Sequence, residues 1–352
     1  MCDTNLPTPT IAKGSSVFDT KLYTGNGSTQ TISGLAFSPD LVWIKGRSVA
    51  YNHRVFDTVR GTGGLLYTNT TDAEVAQPNA NDNFVSFNSD GFSIGSPIGL
   101  NQNSATYVSW CWDAGTSIAT NTAGTISSQV RANPSAGFSV VTYTGTQAAA
   151  TVGHGLGVAP SMIIVKSRTV AGAAWPVYHI SLGGTNKVLV LSNTGAPQTV
   201  ANYWGSVAPT STVFGVSNGA FDNNNGNLVA YCFAPVTGYS SFGSYTGNGS
   251  ADGSFVYTGF RPRWIITKPT SIAGSWLMHD TSRNPYNVSV LELQANATLA
   301  EYSTAGVGAG DRFDILSNGF KNRSANAGAN QNAATYIYAA FAENPFQYSR
   351  AR

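Results

Sequence analysis

The sequence predicts an all-β protein built from three tandem β-sandwich modules of jelly-roll or concanavalin-like type. Two observations carry this: a composition that suits strands and tight turns, and one pattern of motifs that recurs three times. Of the 352 residues 42% are apolar, but only 10% are charged, against about 25% in an average globular chain. Gly, Ser, Thr and Asn fill the gap. Exposed helix faces are usually filled with Lys, Glu and Arg, whereas Thr, Val and aromatic residues favour strands, and Gly and Asn favour turns. The length alone suggests two or three domains.

The repeat begins with Tyr23-Thr24-Gly25-Asn26-Gly27-Ser28, which returns as Tyr143-Thr144-Gly145-Thr146 and as Tyr245-Thr246-Gly247-Asn248-Gly249-Ser250. Sixteen or seventeen residues after each tyrosine comes a proline, and six residues later a lysine: Pro39 to Lys45, Pro160 to Lys166, Pro262 to Lys268. The intervening runs, such as Leu41-Val42-Trp43-Ile44 and Met162-Ile163-Ile164-Val165, read as buried strands. Each copy then has a Ser-Asx-Gly turn, Ser89-Asp90-Gly91, Ser217-Asn218-Gly219 or Ser317-Asn318-Gly319, of the kind that gives hairpins their positive φ angles. An aromatic closing strand follows, as in Tyr107-Val108-Ser109-Trp110-Cys111-Trp112 and Leu228-Val229-Ala230-Tyr231-Cys232-Phe233; the third copy reads Tyr336-Ile337-Tyr338-Ala339-Ala340-Phe341.

These motifs set the expected organisation: an N-terminal arm at 1–15, modules at 16–115, 137–237 and 238–346, a linker with room for a short strand at 116–136, and a tail at 347–352. The short join from Pro235 to Tyr239 predicts a stiff rod of the second and third modules, with the first hinged to it. Helix signals are nearly absent. Val290 to Glu301 contains helix formers, but it aligns with Lys187 to Leu191 and is expected to be a strand.

Several function classes receive no support. A formal net charge of +2 from 19 basic and 17 acidic side chains gives no electrostatic footprint for nucleic acid. No apolar run reaches the roughly 18 residues that a membrane-spanning helix needs, and residues 1–16 lack the pattern of a secretory signal. Cys2, Cys111 and Cys232 are too scattered for a disulfide framework, and the four histidines show no metal-ligand spacing. No cofactor, metal or catalytic residue is expected, and the chain is read as not an enzyme. Asp57 with Arg60, and Asp280 with Arg283, read as structural pairs at turns. The recurring lysine has two readings, a strand end whose stem covers the sandwich rim or a pocket residue. Tyr51, Asn52, Trp175, Tyr203, Trp204, Trp276 and Tyr286 are the candidate ligand-binding residues, because aromatic rings and amides on sandwich loops hold sugars by stacking and hydrogen bonds.

From Tyr23 to Ser28, Gly34 to Lys45, Gly137 to Gly145, Val152 to Gly157, Phe242 to Ser250, Phe255 to Pro262 and the ending Ala340 to Phe346, the chain resembles modular proteins of marine tailed bacteriophages, above all the short-tailed cyanophage type. The resemblance covers about residues 16–352. It implies a virion structural protein, assembled in the host cytoplasm and carried on the extracellular particle. Its partners would be other virion proteins and a host surface glycan, with a homo-oligomer, trimeric by analogy with fibres. A tail fibre or appendage is the first expectation, a head decoration or tail accessory protein the second, and a polysaccharide depolymerase the third.

Overall fold

The computed structural model describes residues 10–218, 221–305 and 310–344. Most of the N-terminal arm, Gly219 of the second Ser-Asx-Gly turn and the tail at 347–352 lie outside them. In the first repeat the strands are β1 (Phe18–Thr24), β2 (Gln30–Ile32), β3 (Leu41–Gly46), β4 (Arg54–Asp57), β5 (Gly61–Tyr67), β6 (Val75–Ala76), β7 (Phe84–Asn88), β8 (Gly91–Ile94) and β9 (Thr106–Trp112). They form a six-stranded sheet in the order β1-β9-β3-β4-β5-β6 and a three-stranded sheet in the order β2-β8-β7, with antiparallel pairing throughout. The same large-sheet order recurs under the other repeats, from Phe138–Thr144 to Gln198–Thr199 and from Ser240–Thr246 to Tyr302–Ser303. The protein is all-β, and its layers are those of antiparallel sandwiches.

Alternation along the strands explains the long apolar runs. In β3, Val42 and Ile44 point into the core between the first repeat's two sheets, while Leu41 and Trp43 point out of the other face. In Met162–Ser167, Ile163 and Val165 face the second sandwich core, and Met162 and Ile164 face away from it. The outward residues are not solvated. They join one cluster shared by all three repeats, so both faces of these strands are buried and the period-two polarity disappears.

At the centre of that cluster Trp112, Phe233 and Phe341, the last aromatic residues of the three closing strands, meet one another. Their ring centroids lie 6.1, 5.9 and 5.9 Å apart in edge-to-face arrangements. The repeats therefore close on each other around a pseudo-threefold centre instead of forming the expected rod with a hinge. A shared apolar core is worth more than a short join in fixing how neighbouring sandwiches sit.

The recurring lysine belongs to this closure. Lys45, Lys166 and Lys268 are fully buried. Lys45 Nζ donates to Thr298 O in the third repeat (3.0 Å), Lys166 Nζ to Thr71 O in the first (3.1 Å), and Lys268 Nζ to Thr194 O and Gly195 O in the second (3.1 and 2.8 Å). Among the described residues none has a carboxylate as a hydrogen-bond partner; backbone carbonyls take that place.

The Asp-Arg turns complete the interfaces. Asp57 is bonded to Arg60 (2.5 Å) and accepts from the hydroxyl of Tyr231 (2.8 Å), and Asp280 is bonded to Arg283 (2.6 Å) and accepts from the indole of Trp110 (3.1 Å). Glu74 then bridges Arg60 to Arg168, and Glu301 bridges Arg283 to Arg47, each across a repeat boundary. The second repeat has His179 in place of the aspartate, and the third has Ala339 in place of the aromatic partner. His179 Nε2 donates to Tyr338 O instead (3.1 Å).

Three expectations change in detail. The segment 116–136 carries two strands, Ile118–Asn121 and Ser128–Asn133, which extend the second repeat's large sheet to eight strands. Within Val290 to Glu301 only Leu291–Gln294 is strand. The hairpins at Ser89-Asp90 and Ser317-Asn318 form, but neither they nor Gly91 and Gly319 have positive φ. Those two glycines are needed for another reason: a Cβ on Gly91 would overlap Ile32 O, and one on Gly319 would overlap Val256 O, across the neighbouring strand.

Candidate functional site

A cleft of about 270 Å³ opens beside β4 and β5 of the first repeat. Its floor is Arg54, only 4% exposed. The Nε of Arg54 donates to Asp82 Oδ1, and its Nη1 donates to Asn52 O at 2.7 Å. Asp82 is fully buried, and its second oxygen accepts from the Tyr67 hydroxyl at 2.8 Å. Burial, and then the Asp82 carboxylate beside it, push the Tyr67 hydroxyl up, so it keeps its proton at any ordinary pH. The guanidinium carbon lies 5.7 Å from the Tyr51 ring centroid and 5.6 Å from that of Tyr67, within cation–π range of both.

Gly99, in the short helical turn Ile98–Asn101, lets the arginine through, since a Cβ there would overlap both Arg54 Nη2 and Asp82 Oδ1. Ile98 stands at the rim, half exposed. The hydroxyl of Tyr51 is held by Gln102 Oε1, and the side-chain oxygen of Asn52 accepts from Asn69 Nδ2 at 2.8 Å. The cleft thus presents rigid aromatic and amide groups around one fixed cation. The first residue of the equivalent strand is Pro176 in the second repeat and Leu277 in the third, so neither can build this floor.

Of the seven candidate residues, Tyr51 and Asn52 come together in this cleft, and Tyr286 stands 79% exposed on a loop of the third repeat. Trp175, Trp204, Trp276 and Tyr203 are buried and cannot offer a face to a sugar. Trp175 Nε1 donates to Tyr67 O (3.0 Å) and Trp276 Nε1 to Val190 O (2.9 Å), each across a repeat boundary. His53 occupies the same place in the first repeat, between Trp43 Nε1 (2.9 Å) and Gln294 O (3.0 Å). Trp204 is fixed by its bond to Lys187 O, with Tyr203 against it. Arg54, Tyr67, Asp82 and Gly99 were not among the candidates; the signal available in the sequence was that Arg54 departs from the other repeats.

Among the described residues no group of three or more His, Cys, Asp or Glu side chains is placed to hold a metal ion. Burial pushes the Cys111 thiol up to about 12. Among the same residues no helix is long and apolar enough to cross a membrane.

These features define the class: an all-β protein whose internal repeats share one core, with a polar-aromatic cleft in the first repeat. The chain belongs to the family described as Domain of unknown function (DUF7483), which matches residues 13–345 and so spans all three repeats. No curated protein and no solved structure matches it.

Proposed function

We propose that the chain is a virion structural protein of a tailed bacteriophage, an appendage or tail-fibre subunit that presents its β-sandwich body for attachment to a host-surface glycan. The observation that carries the attachment reading is the cleft of Tyr51, Asn52, Arg54 and Tyr67. The repeats keep their framework in common, and this cleft is a place where the first departs from it. Its volume suits one sugar ring, below the size of drug-type pockets. The proposal involves no catalytic step and no cofactor.

The test is adsorption of phage to host cells in the presence of the purified chain. Wild-type chain should compete with the particle, and a Tyr51→Ala chain should compete poorly. Unchanged adsorption at saturating wild-type chain would remove the attachment role.

A second reading, a head decoration or tail accessory protein, is favoured by the closed threefold body. One such chain could seat over a site of local threefold symmetry with only virion neighbours as partners. Locating the chain in a reconstruction of the particle separates the two: a projecting body supports attachment, and a body laid on the shell supports decoration.

A further inference from the structure

We infer that the cleft of the first repeat selects an acidic saccharide, with the carboxylate of a uronate-type sugar meeting the free Nη2 of Arg54. The inference rests on the glycan reading of the cleft and deepens it.

Arg54 has five N–H donors in a planar fork. Nε and Nη1 are tied to Asp82 and Asn52 O, while Nη2 has no hydrogen-bond partner among the described residues, although Arg54 is almost wholly buried at the cleft floor. An arginine with part of its fork bonded and part free is a pre-oriented donor for a second oxygen acid.

Asp82 offsets the net charge of Arg54 but leaves its remaining donor free to point into the cleft. Both its oxygens are occupied from behind, by Arg54 Nε and the Tyr67 hydroxyl, and none of its surface is exposed. The residues lining the cleft include this one cation and no carboxylate. A neutral sugar would meet that free donor with a hydroxyl, whereas a carboxylate accepts from it in a shorter, charge-assisted hydrogen bond. Tyr51 and Tyr67, both within cation–π range of the guanidinium, give the sugar ring an apolar edge to lie against.

The experiment is a titration of the full chain with glucuronic acid and, in parallel, with glucose, followed by saturation-transfer NMR and calorimetry at low and moderate salt. The expected result is saturable glucuronate binding at least tenfold tighter than glucose, weakened by salt. Because Arg54→Gln strands Asp82 and risks the fold, the decisive variant is Ile98→Glu, which places a negative charge on the exposed rim. It should weaken glucuronate at least fivefold and leave the melting temperature unchanged. Equal affinity for the two sugars, both lost in Tyr51→Ala, would overturn the acidic preference and leave a neutral-glycan cleft. Glucuronate binding unaffected by Ile98→Glu would place the ligand elsewhere and overturn the inference. Binding of neither sugar would overturn the glycan reading along with it.

Discussion

Replacing Phe341 by alanine tests whether the three repeats melt as one body. The Phe341 ring lies within 6.0 Å, centroid to centroid, of Phe18, Trp112, Phe233, Tyr239, Phe242 and Trp264, residues drawn from all three repeats. Truncating a buried phenylalanine costs about 3–5 kcal/mol, and the number of ring neighbours places this one toward the upper half. Unfolding entropy is about 2.1 cal/mol/K per residue. A loss of about 4 kcal/mol therefore lowers the melting temperature of a single 352-residue unit by about 5 °C, with one transition before and after. If the third repeat melted by itself, with about 110 residues, the same loss would drop its transition by about 17 °C and leave the others in place. Differential scanning calorimetry distinguishes the outcomes, with agreement between calorimetric and van't Hoff enthalpies as the further check. Separate transitions of which only one moves would refute the shared core.

Further outcomes follow from buried charge and close backbone contacts. Burial raises Asp40 to about 6, Asp222 to about 6 and Asp311 to about 7, which makes stability fall as pH rises from 4 to 7, but burial also lowers His53, His154, His179 (to about 4) and His279 (to about 3), which makes stability rise over the same range, so the two sets oppose each other below neutrality. Burial lowers Lys45 to about 7 and Lys166 and Lys268 to about 8, so from pH 7 to about 9 the native state releases protons first and stability rises, until the raised thiols of Cys111 and Cys232 oppose it. Urea denaturation should show stability rising between pH 7 and about 9, each titrating group giving a slope of at most about 1.4 kcal/mol per pH unit; a flat or falling profile over that window would contradict it. Lys268→Met strands the carbonyls of Thr194, Gly195 and Gly274; it should cost about 2–4 kcal/mol at neutral pH and flatten the alkaline limb, both readable from the same urea series. Gly91→Ala forces Ile32 away from β8 and should lower the urea midpoint by the equivalent of about 2 kcal/mol or more, with circular dichroism confirming that the sheets remain.

Much of the framework could be read from the sequence because its recurring residues carry recurring contacts. Asn101, Asn223 and Asn330 each accept from the backbone N–H of the turn that follows the repeat tyrosine, at Asn26, Thr146 and Asn248, which is why those turns return in sequence. Strand pairing follows from alternation and turn spacing, and both are local. What sits on the outer face of a sheet is not local. Trp43 and Ile164 looked like interior residues of separate sandwiches, and nothing in either run tells which of its two faces meets another repeat. The misplaced tryptophans share that cause. His53, Trp175 and Trp276 stand eight or nine residues after Lys45, Lys166 and Lys268; equivalent spacing marks framework, but three different side-chain settings hid the equivalence. Arg54 was hidden in the opposite way, since a lone arginine at a strand start carries no pattern until Asp82 and Gly99 are seen beside it.

The closure of three unlike repeats in one chain has a consequence for valency. A homotrimer must offer every recognition feature three times, around an axis that holds its copies to one geometry. Here the aromatic centre keeps the threefold packing while each repeat is free to vary, and only one of the three has Arg54 at its floor. On the proposed attachment reading, each chain that binds through this cleft is monovalent, so firm adhesion by a particle would come from the number of chains it displays and the spacing between them, with avidity set by assembly and not by the fold.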